Sequence, residues 1–272
     1  MENMLSQTIP YQYDTIFSPF PAGAFSAALA FLEEAGFTGA EIAVAYPRKV
    51  NARTLYKQLS AHHLTATTIS TGQIYGLEGL FLSSMDADIR ARTIEIIKAH
   101  IELSADLGAP NVTIGLVRGK LEPQGKNALL ENLKRALLPC IEYALKRNVA
   151  LQIEPINKAE TSMLNSTYDV LAFLKELGDP ENVGILYDTF HSNLEDGSMP
   201  KAIRAAAGKI KNVHFADSHR GLPGYGDIDF KAVYRALEVT GYKGPYALET
   251  LAIPSAEFVN AHCFESLQAV FQ

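Results

Sequence analysis

Tryptophan is absent from the 272 residues, cysteine occurs only twice, and no apolar run is long. Cys140 and Cys263 are too few for a disulfide framework, and neither has a nearby cysteine with which to bind zinc. No stretch approaches the roughly 18 apolar residues of a membrane span. The segment Met1–Met4 carries an early acid and does not begin a signal peptide. We therefore expect a soluble, cytoplasmic protein.

Basic residues are too few and too scattered to form a binding face for nucleic acid. The chain has 24 Lys and Arg against 30 Asp and Glu, a formal net charge of −6. Because phosphate backbones and anionic lipids require a basic patch, we expect neither nucleic acid nor membrane as a partner. No GxxxxGK[ST] phosphate loop is found, and no GxGxxG follows the first strand. A small anionic substrate held by one arginine stays possible on these grounds.

Short β-rich runs alternate with longer segments of helical periodicity along the whole chain. The expected strands are 40–45, 65–70, 111–116, 150–154, 183–188, 210–215 and 246–249, preceded by a weaker candidate at 13–17. The expected helices are 24–35, 52–62, 87–107, 126–147, 167–177, 201–207, 230–240 and 255–269. About eight such repeats predict a (β/α)8 TIM barrel, with a doubly wound sheet as the alternative. No linker divides the chain, so we expect one domain over residues 1–272.

Side chains that are capable of binding a metal ion stand at the ends of four consecutive strands. Glu154, Asp188, His214 and Glu249 each come at or near the end of an apolar run. The carboxyl ends of barrel strands converge on one face, and an ionised group there is costly unless it is paired or coordinated. Three carboxylates and one imidazole suit one divalent ion, Mn²⁺ first, with Mg²⁺ or Co²⁺ as alternatives and Zn²⁺ also feasible. The alternative is a set of solvated strand ends.

Several motifs around these positions resemble those of a known superfamily. They are LQIEPIN at 151–157, YDTFH at 187–191, HFADSHR at 214–220 and PGYGDIDF at 223–230. Their order and spacing resemble the sugar isomerase/epimerase superfamily of xylose-isomerase-like barrels, and within it the ketose 3-epimerases of the D-tagatose 3-epimerase type. GAEI at 39–42 agrees more weakly, while STGQ at 70–73 and IGLVRG at 114–119 resemble 5-keto-L-gluconate epimerases in particular.

The resemblance implies an activity and roles for individual residues. It implies a metal-dependent epimerase that inverts the carbon beside the ketone of a ketose or hexuluronate, by deprotonation and reprotonation through a cis-enediolate. Glu154 and Glu249 would be both metal ligands and the acid–base pair, with Asp188 and His214 as the other ligands. The side chains expected to contact the sugar are those of Gln73, Glu160, His191 and Arg220. We also expect a homo-oligomer, either a dimer or a tetramer.

Two charged residues each allow two interpretations of their role. Arg118 lies just past the fourth strand, where its planar guanidinium could bind the carboxylate of a hexuluronate. It could equally form a salt bridge at the barrel rim with Glu122 or a neighbouring acid. Glu41 closes the second strand, where either a structural ion pair or a contact with substrate is expected.

Other functions remain as alternatives. An apurinic endonuclease would need extra histidine ligands at the third and fourth strand ends, where Gln73 and Leu116 stand instead. A hydride-shift isomerase would want a lysine beside the fifth-strand glutamate, and Asn157 occupies that place. Hydroxypyruvate isomerase and inosose dehydratase share much of the ligand pattern and stay open. A catalytically inactive barrel that serves as a binding module is the alternative from another class.

Overall fold

Eight parallel strands close into a barrel in the computed structural model, which describes residues 3–120 and 125–272. Each strand pairs with the next along the chain, and the eighth pairs with the first. The strands are β1 (Leu5–Pro10), β2 (Gly39–Ala43), β3 (Thr65–Ser70), β4 (Asn111–Ile114), β5 (Ala150–Ile153), β6 (Val183–Asp188), β7 (Ile210–Phe215) and β8 (Tyr246–Leu248). The predicted (β/α)8 barrel is confirmed.

The helices surround the barrel. They are α1 (Phe25–Ala35), α2 (Ala52–Ala61), α3 (Gln73–Glu78), α4 (Ala87–Leu107), α5 (Lys126–Lys146), α6 (Thr167–Glu176), α7 (Thr189–Glu195), α8 (Met199–Ala205), α9 (Phe230–Val239) and α10 (Ala256–Ala269). Local signals set many of their ends: Asn51 and Asp86 accept N-terminal amides of α2 and α4, and Gly36 ends α1 at a φ of 98°. None of the helices in the described ranges combines the length and apolarity that a bilayer span requires.

The first strand was predicted in the wrong place. Residues 13–17 belong to the loop after β1, and the strand itself is Leu5–Pro10. Its side chains Ser6, Gln7 and Thr8 are polar yet buried, so the strand lacks the apolar pattern by which strands are detected. The short helices α3 and α7 were also not predicted, since a helix of six or seven residues leaves little periodicity to detect.

Candidate active site

Four side chains from four consecutive strands meet at the carboxyl face of the barrel. Glu154 follows β5, Asp188 ends β6, His214 lies in β7 and Glu249 follows β8. One ligand atom from each lies within 4.8 Å of the others, and the described part of the chain contains a single group of this kind. We call these four side chains the ligand group. Strand register explains part of the arrangement, because Asp188 and His214 are direct Cα partners.

Asp188 serves a local structural purpose with one oxygen and leaves the other free. Its Oδ1 caps α7 by accepting the amides of Phe190 and His191, at 2.8 and 3.2 Å. Its Oδ2 is buried and accepts no hydrogen bond from the described residues. Burial alone would raise the pKa of Asp188, but His214 and the charge of Arg220 outweigh it and hold the pKa well below its usual range. The carboxylate is therefore ionised, with one oxygen available to a cation.

His214 is hydrogen-bonded to Glu41, a carboxylate that lies outside the ligand group. Its Nε2 lies 3.0 and 2.9 Å from the two oxygens of Glu41, so that nitrogen carries the hydrogen in the neutral ring. Its Nδ1 points into the ligand group, 3.8 Å from Asp188 Oδ2 and 3.5 Å from Glu249 Oε2, and has no hydrogen-bond partner among the described side chains. Burial would lower the pKa of His214, but Glu41 and Glu249 outweigh it and raise the pKa well above the ordinary value.

The pKa values of the two glutamates of the ligand group are shifted in opposite directions. Burial, together with the charges of Glu249 and Asp188, raises the pKa of Glu154 well above its usual value. Burial would also raise the pKa of Glu249, but His214 and Arg220 outweigh it and lower that pKa. Two carboxyl groups whose environments separate their pKa values are typical of an acid–base pair.

Gly115 makes room for one of these carboxylates. A methyl group added at Gly115 would lie only 2.6 Å from Glu154 Oε2. The glycine just past β4 therefore has a packing reason as well as a role in the turn.

His191 is neutral and presents a hydrogen-bond donor to the cavity. Its Nδ1 accepts from Asn157, 2.9 Å from the side-chain nitrogen and 3.3 Å from the backbone nitrogen, which leaves the hydrogen on Nε2. That Nε2 lies 3.7 Å from Glu154 Oε1. Burial lowers the pKa of His191, and the charge of Arg220 adds to this effect. The Nε2–H group is well placed to donate to a substrate oxygen.

Arg220 forms ion pairs with two glutamates of the site, Glu160 and Glu249. It donates to Glu160 Oε1 at 3.0 Å and to Glu249 Oε2 at 3.3 Å. Its guanidinium also lies over the rings of Phe17 and Phe190, 4.2 and 4.9 Å from their centroids. The aromatic partners were not identified from the sequence. YDTFH contained the signal for Phe190, whereas Phe17 was assigned to a strand.

A cavity of about 190 Å³ opens beside the ligand group. Its lining includes Gln73, Glu154, Glu160, His191, Arg220 and Glu249. Gln73 donates from Nε2 to the carbonyl of Tyr13 at 2.5 Å, while its Oε1 is buried without a described partner. The structure therefore brings to one cavity every side chain expected to contact the sugar except Arg118.

Arg118 does not reach the cavity. The side chain is completely buried, and its guanidinium donates to the backbone carbonyls of Gly115, Glu154, Met163 and Leu164. The expectation that it binds a distal carboxylate does not agree with this position, because the 3-10 turn Leu116–Arg118 directs it to the backbone of the segment after β5 and not into the cavity. The alternative partner, Glu122, lies outside the described residues.

A larger cavity of about 660 Å³ lies at the amino ends of the strands, on the opposite face. Its lining includes Asn111, Glu181 and Lys211 but no member of the ligand group. In this fold the carboxyl face carries the chemistry. The smaller cavity is therefore the candidate active site.

Comparison with known proteins identifies the family to which the chain is similar. A profile of the xylose isomerase-like TIM barrel family matches residues 29–262. The L-ribulose 3-epimerase of Mesorhizobium japonicum is 34% identical over 227 residues, which are 82% of this chain and 74% of that protein. The ketose 3-epimerase of Arthrobacter globiformis is 32% identical over 222 residues, 80% of this chain and 75% of that protein. A solved structure of L-ribulose 3-epimerase has a TM-score of 0.82 at 28% identity, covering 97% of this chain and 92% of that one.

These relatives also bear on the class of enzyme. They are sugar epimerases, so the resemblance to the D-tagatose 3-epimerase type is confirmed, as is the predicted class, a sugar isomerase or epimerase. The family profile covers most of the chain. The chain belongs to the xylose isomerase-like TIM barrel family.

Proposed function

We propose that the chain is a divalent-metal-dependent epimerase that inverts the carbon beside the ketone of a neutral ketose. The observation that carries the proposal is the pair Glu154 and Glu249, a buried and a partly buried carboxyl group that line one cavity and have oppositely shifted pKa values. The relatives named L-ribulose 3-epimerase and ketose 3-epimerase support the same class of reaction.

The ligand group fits a divalent cation. Asp188 Oδ2 and His214 Nδ1 are buried without hydrogen-bond partners in the described structure, a costly state that a bound ion would relieve. Glu154 and Glu249 would supply the remaining ligands. Three carboxylates and one imidazole favour Mn²⁺, with Mg²⁺ or Co²⁺ as alternatives. When bound, the ion would stabilise the negative charge that develops on the two adjacent substrate oxygens after proton removal.

The two glutamates would move the proton. Epimerisation requires a base at one face of the carbon and an acid at the other. In one direction Glu249, held ionised by His214 and Arg220, removes the proton, and Glu154, with its raised pKa, returns one to the opposite face of a cis-enediolate. The reverse reaction exchanges the roles. His191 would donate from Nε2 to an oxygen of the substrate as negative charge develops there.

The cavity favours a neutral sugar over a hexuluronate. Among the residues that the structure describes, Arg220 is the one cationic side chain that lines it, and its guanidinium already binds Glu160 and Glu249. The guanidinium of Arg118 donates to four backbone carbonyls, and the side chain does not line the cavity. The lining also includes Thr8 and Gln73, and each has a buried side-chain oxygen that has no hydrogen-bond partner in the described ranges. Such groups suit hydroxyls rather than a carboxylate.

Proton NMR in D₂O with Mn²⁺ tests the proposal. The substrates are neutral ketoses, hexuluronates and hydroxypyruvate, the last included to detect the isomerase alternative. We expect a neutral ketose to be converted fastest and its epimer to carry about one deuterium at the inverted carbon, because solvent-exchanged carboxyl groups return the proton. Glu154→Gln and Glu249→Gln should each abolish conversion. Rapid conversion without solvent label would exclude proton transfer, and turnover of hydroxypyruvate alone would replace the proposed substrate.

We also propose that the protein works in the cytoplasm as a dimer or tetramer. Cys140 and Cys263 are free thiols, which supports a reducing compartment. Ile16 and Val239 are large apolar side chains left 68% and 77% exposed, and contact with a second subunit would remove apolar surface of this kind from water. Light scattering on the purified protein measures the assembly directly, and a monomer at micromolar concentration would contradict it.

A further inference from the structure

Glu41 is a buried carboxylate that lies behind the ligand group rather than in it. It is the third residue of β2, its side chain is completely buried, and it does not line the cavity. An isolated carboxylate in such a position would be strongly unfavourable. Its surroundings must therefore explain why a charged residue occupies the interior of the barrel.

Three donors from two other strands surround this carboxylate. Ser70 Oγ in β3 donates to Oε1 at 2.6 Å, and Asn212 Nδ2 in β7 donates to Oε2 at 2.9 Å. His214 Nε2, also in β7, lies 3.0 and 2.9 Å from the two oxygens. Both oxygens of Glu41 are thus occupied, and the imidazole is the one partner that contacts both.

The consequence falls on the other nitrogen of the imidazole. Because Nε2 donates its hydrogen to Glu41, the neutral ring must present a lone pair at Nδ1. Nδ1 is the atom that faces Asp188 and Glu249 and has no hydrogen-bond partner in the part of the chain described. A carboxylate behind a histidine ligand fixes the ring orientation and the tautomer, and makes the ligand nitrogen more basic.

We propose that Glu41 is a positioning residue that prepares His214 to bind a divalent cation through Nδ1. Of the two roles that the sequence left open for Glu41, this one is a structural pairing and not a contact with substrate. The inference rests on the proposed function only in taking the ligand group to hold a cation. It adds a fifth residue, from the opposite side of the barrel, to those on which cation binding depends.

Glu41→Gln is the informative substitution because it preserves the volume and removes the charge. Asn212 donates to one side of residue 41, so the amide oxygen would be held there and the amide NH₂ would face Ser70 and His214. The ring then loses a charged acceptor and gains a competing donor. We expect Mn²⁺ affinity to fall about 10–100-fold, the usual effect of removing such a partner.

The experiment measures Mn²⁺ affinity by electron paramagnetic resonance of the free ion, and records the visible spectrum of the Co²⁺-loaded protein. Asp169→Asn is the matched control, since it makes the same chemical change in the capping box of α6, at a residue that belongs neither to the ligand group nor to the cavity lining. Both variants are expected to lose thermal stability, but only Glu41→Gln should weaken Mn²⁺ binding and shift the Co²⁺ bands. Ser70→Ala, which removes one donor to Glu41 and keeps the charge, should weaken binding by a smaller factor.

The outcomes separate this inference from the proposed function. Wild-type protein that binds no divalent ion would overturn both. Wild-type protein that binds Mn²⁺, with unchanged affinity and Co²⁺ spectrum in Glu41→Gln, would overturn the role of Glu41 alone. If Glu41→Gln does not fold, Ser70→Ala decides, and an affinity equal to that of the wild type would contradict the proposal.

Discussion

Arg118→Ala should lower the stability of the protein. It should also reduce the activity on every substrate by a similar factor, instead of removing the recognition of a carboxylate. The guanidinium donates to the carbonyl of Glu154 at 2.5 Å and to those of Gly115, Met163 and Leu164 at 3.3 Å. It thereby ties the turn after β4 to the segment that carries Glu154. Burial lowers the pKa of Arg118 to about 10, so the side chain is still a cation at neutral pH.

The expected loss in the free energy of unfolding follows from those four hydrogen bonds. A buried acceptor left without a donor costs about 1–3 kcal/mol. One contact is short and three are long, and water can enter the space left by the side chain, so we expect the free energy of unfolding to fall by about 3–5 kcal/mol, a large effect for one substitution. Arg135→Ala is the control, because Arg135 is 73% exposed and its i,i+4 pair with Glu131 is worth about 0.3–0.5 kcal/mol.

Urea unfolding gives the stability, and kcat/KM is compared for a neutral ketose and a hexuluronate. We expect a similar fold-loss for both sugars, since displacement of Glu154 affects every substrate. If Arg118→Ala is too unstable to assay, Arg118→Lys keeps the charge and part of the hydrogen bonding. A loss confined to the hexuluronate, with stability close to that of the wild type, would show that Arg118 reaches the substrate after all.

Two further predictions concern the ligand group. Asp188→Asn and His214→Asn should each reduce metal occupancy, measured by elemental analysis, and lower activity by more than the roughly 10–100-fold typical of an indirect partner; full activity without metal would contradict them. Mn²⁺ affinity should rise as the pH increases above about 6.5, the ordinary pKa of histidine. Burial would lower the pKa of His214, but Glu41 and Glu249 raise it well above that value, so the ring must release a proton when an ion binds. Titrations in a weak buffer would detect that proton, and a flat profile with no release would refute the reasoning.

Side chains on loops were harder to predict than those on strands. Arg118 lies only four residues beyond the last residue of β4, yet the 3-10 turn that contains it directs its side chain to backbone carbonyls after β5 and not into the cavity. Phe17, which stacks on Arg220, was hidden in a β-prone segment that turned out to be a loop. In such segments the direction of a side chain depends on turn conformation and tertiary contacts, which residue spacing does not encode.

The ligand group was predictable because its geometry is set by the barrel itself. Parallel strands in register place Asp188 beside His214 and His214 beside Ala247, two residues before Glu249, whatever the loops do. A strand also fixes which side chains point inward, by simple alternation. Glu41 follows the same rule: it lies on an inward position of β2, so the barrel brings it to His214 although 172 residues separate them along the chain. What the sequence pattern lacked was the partner, since an inward-facing acid in an apolar strand can face a cavity or a neighbouring imidazole. The register between strands, visible only in the folded barrel, decides between the two.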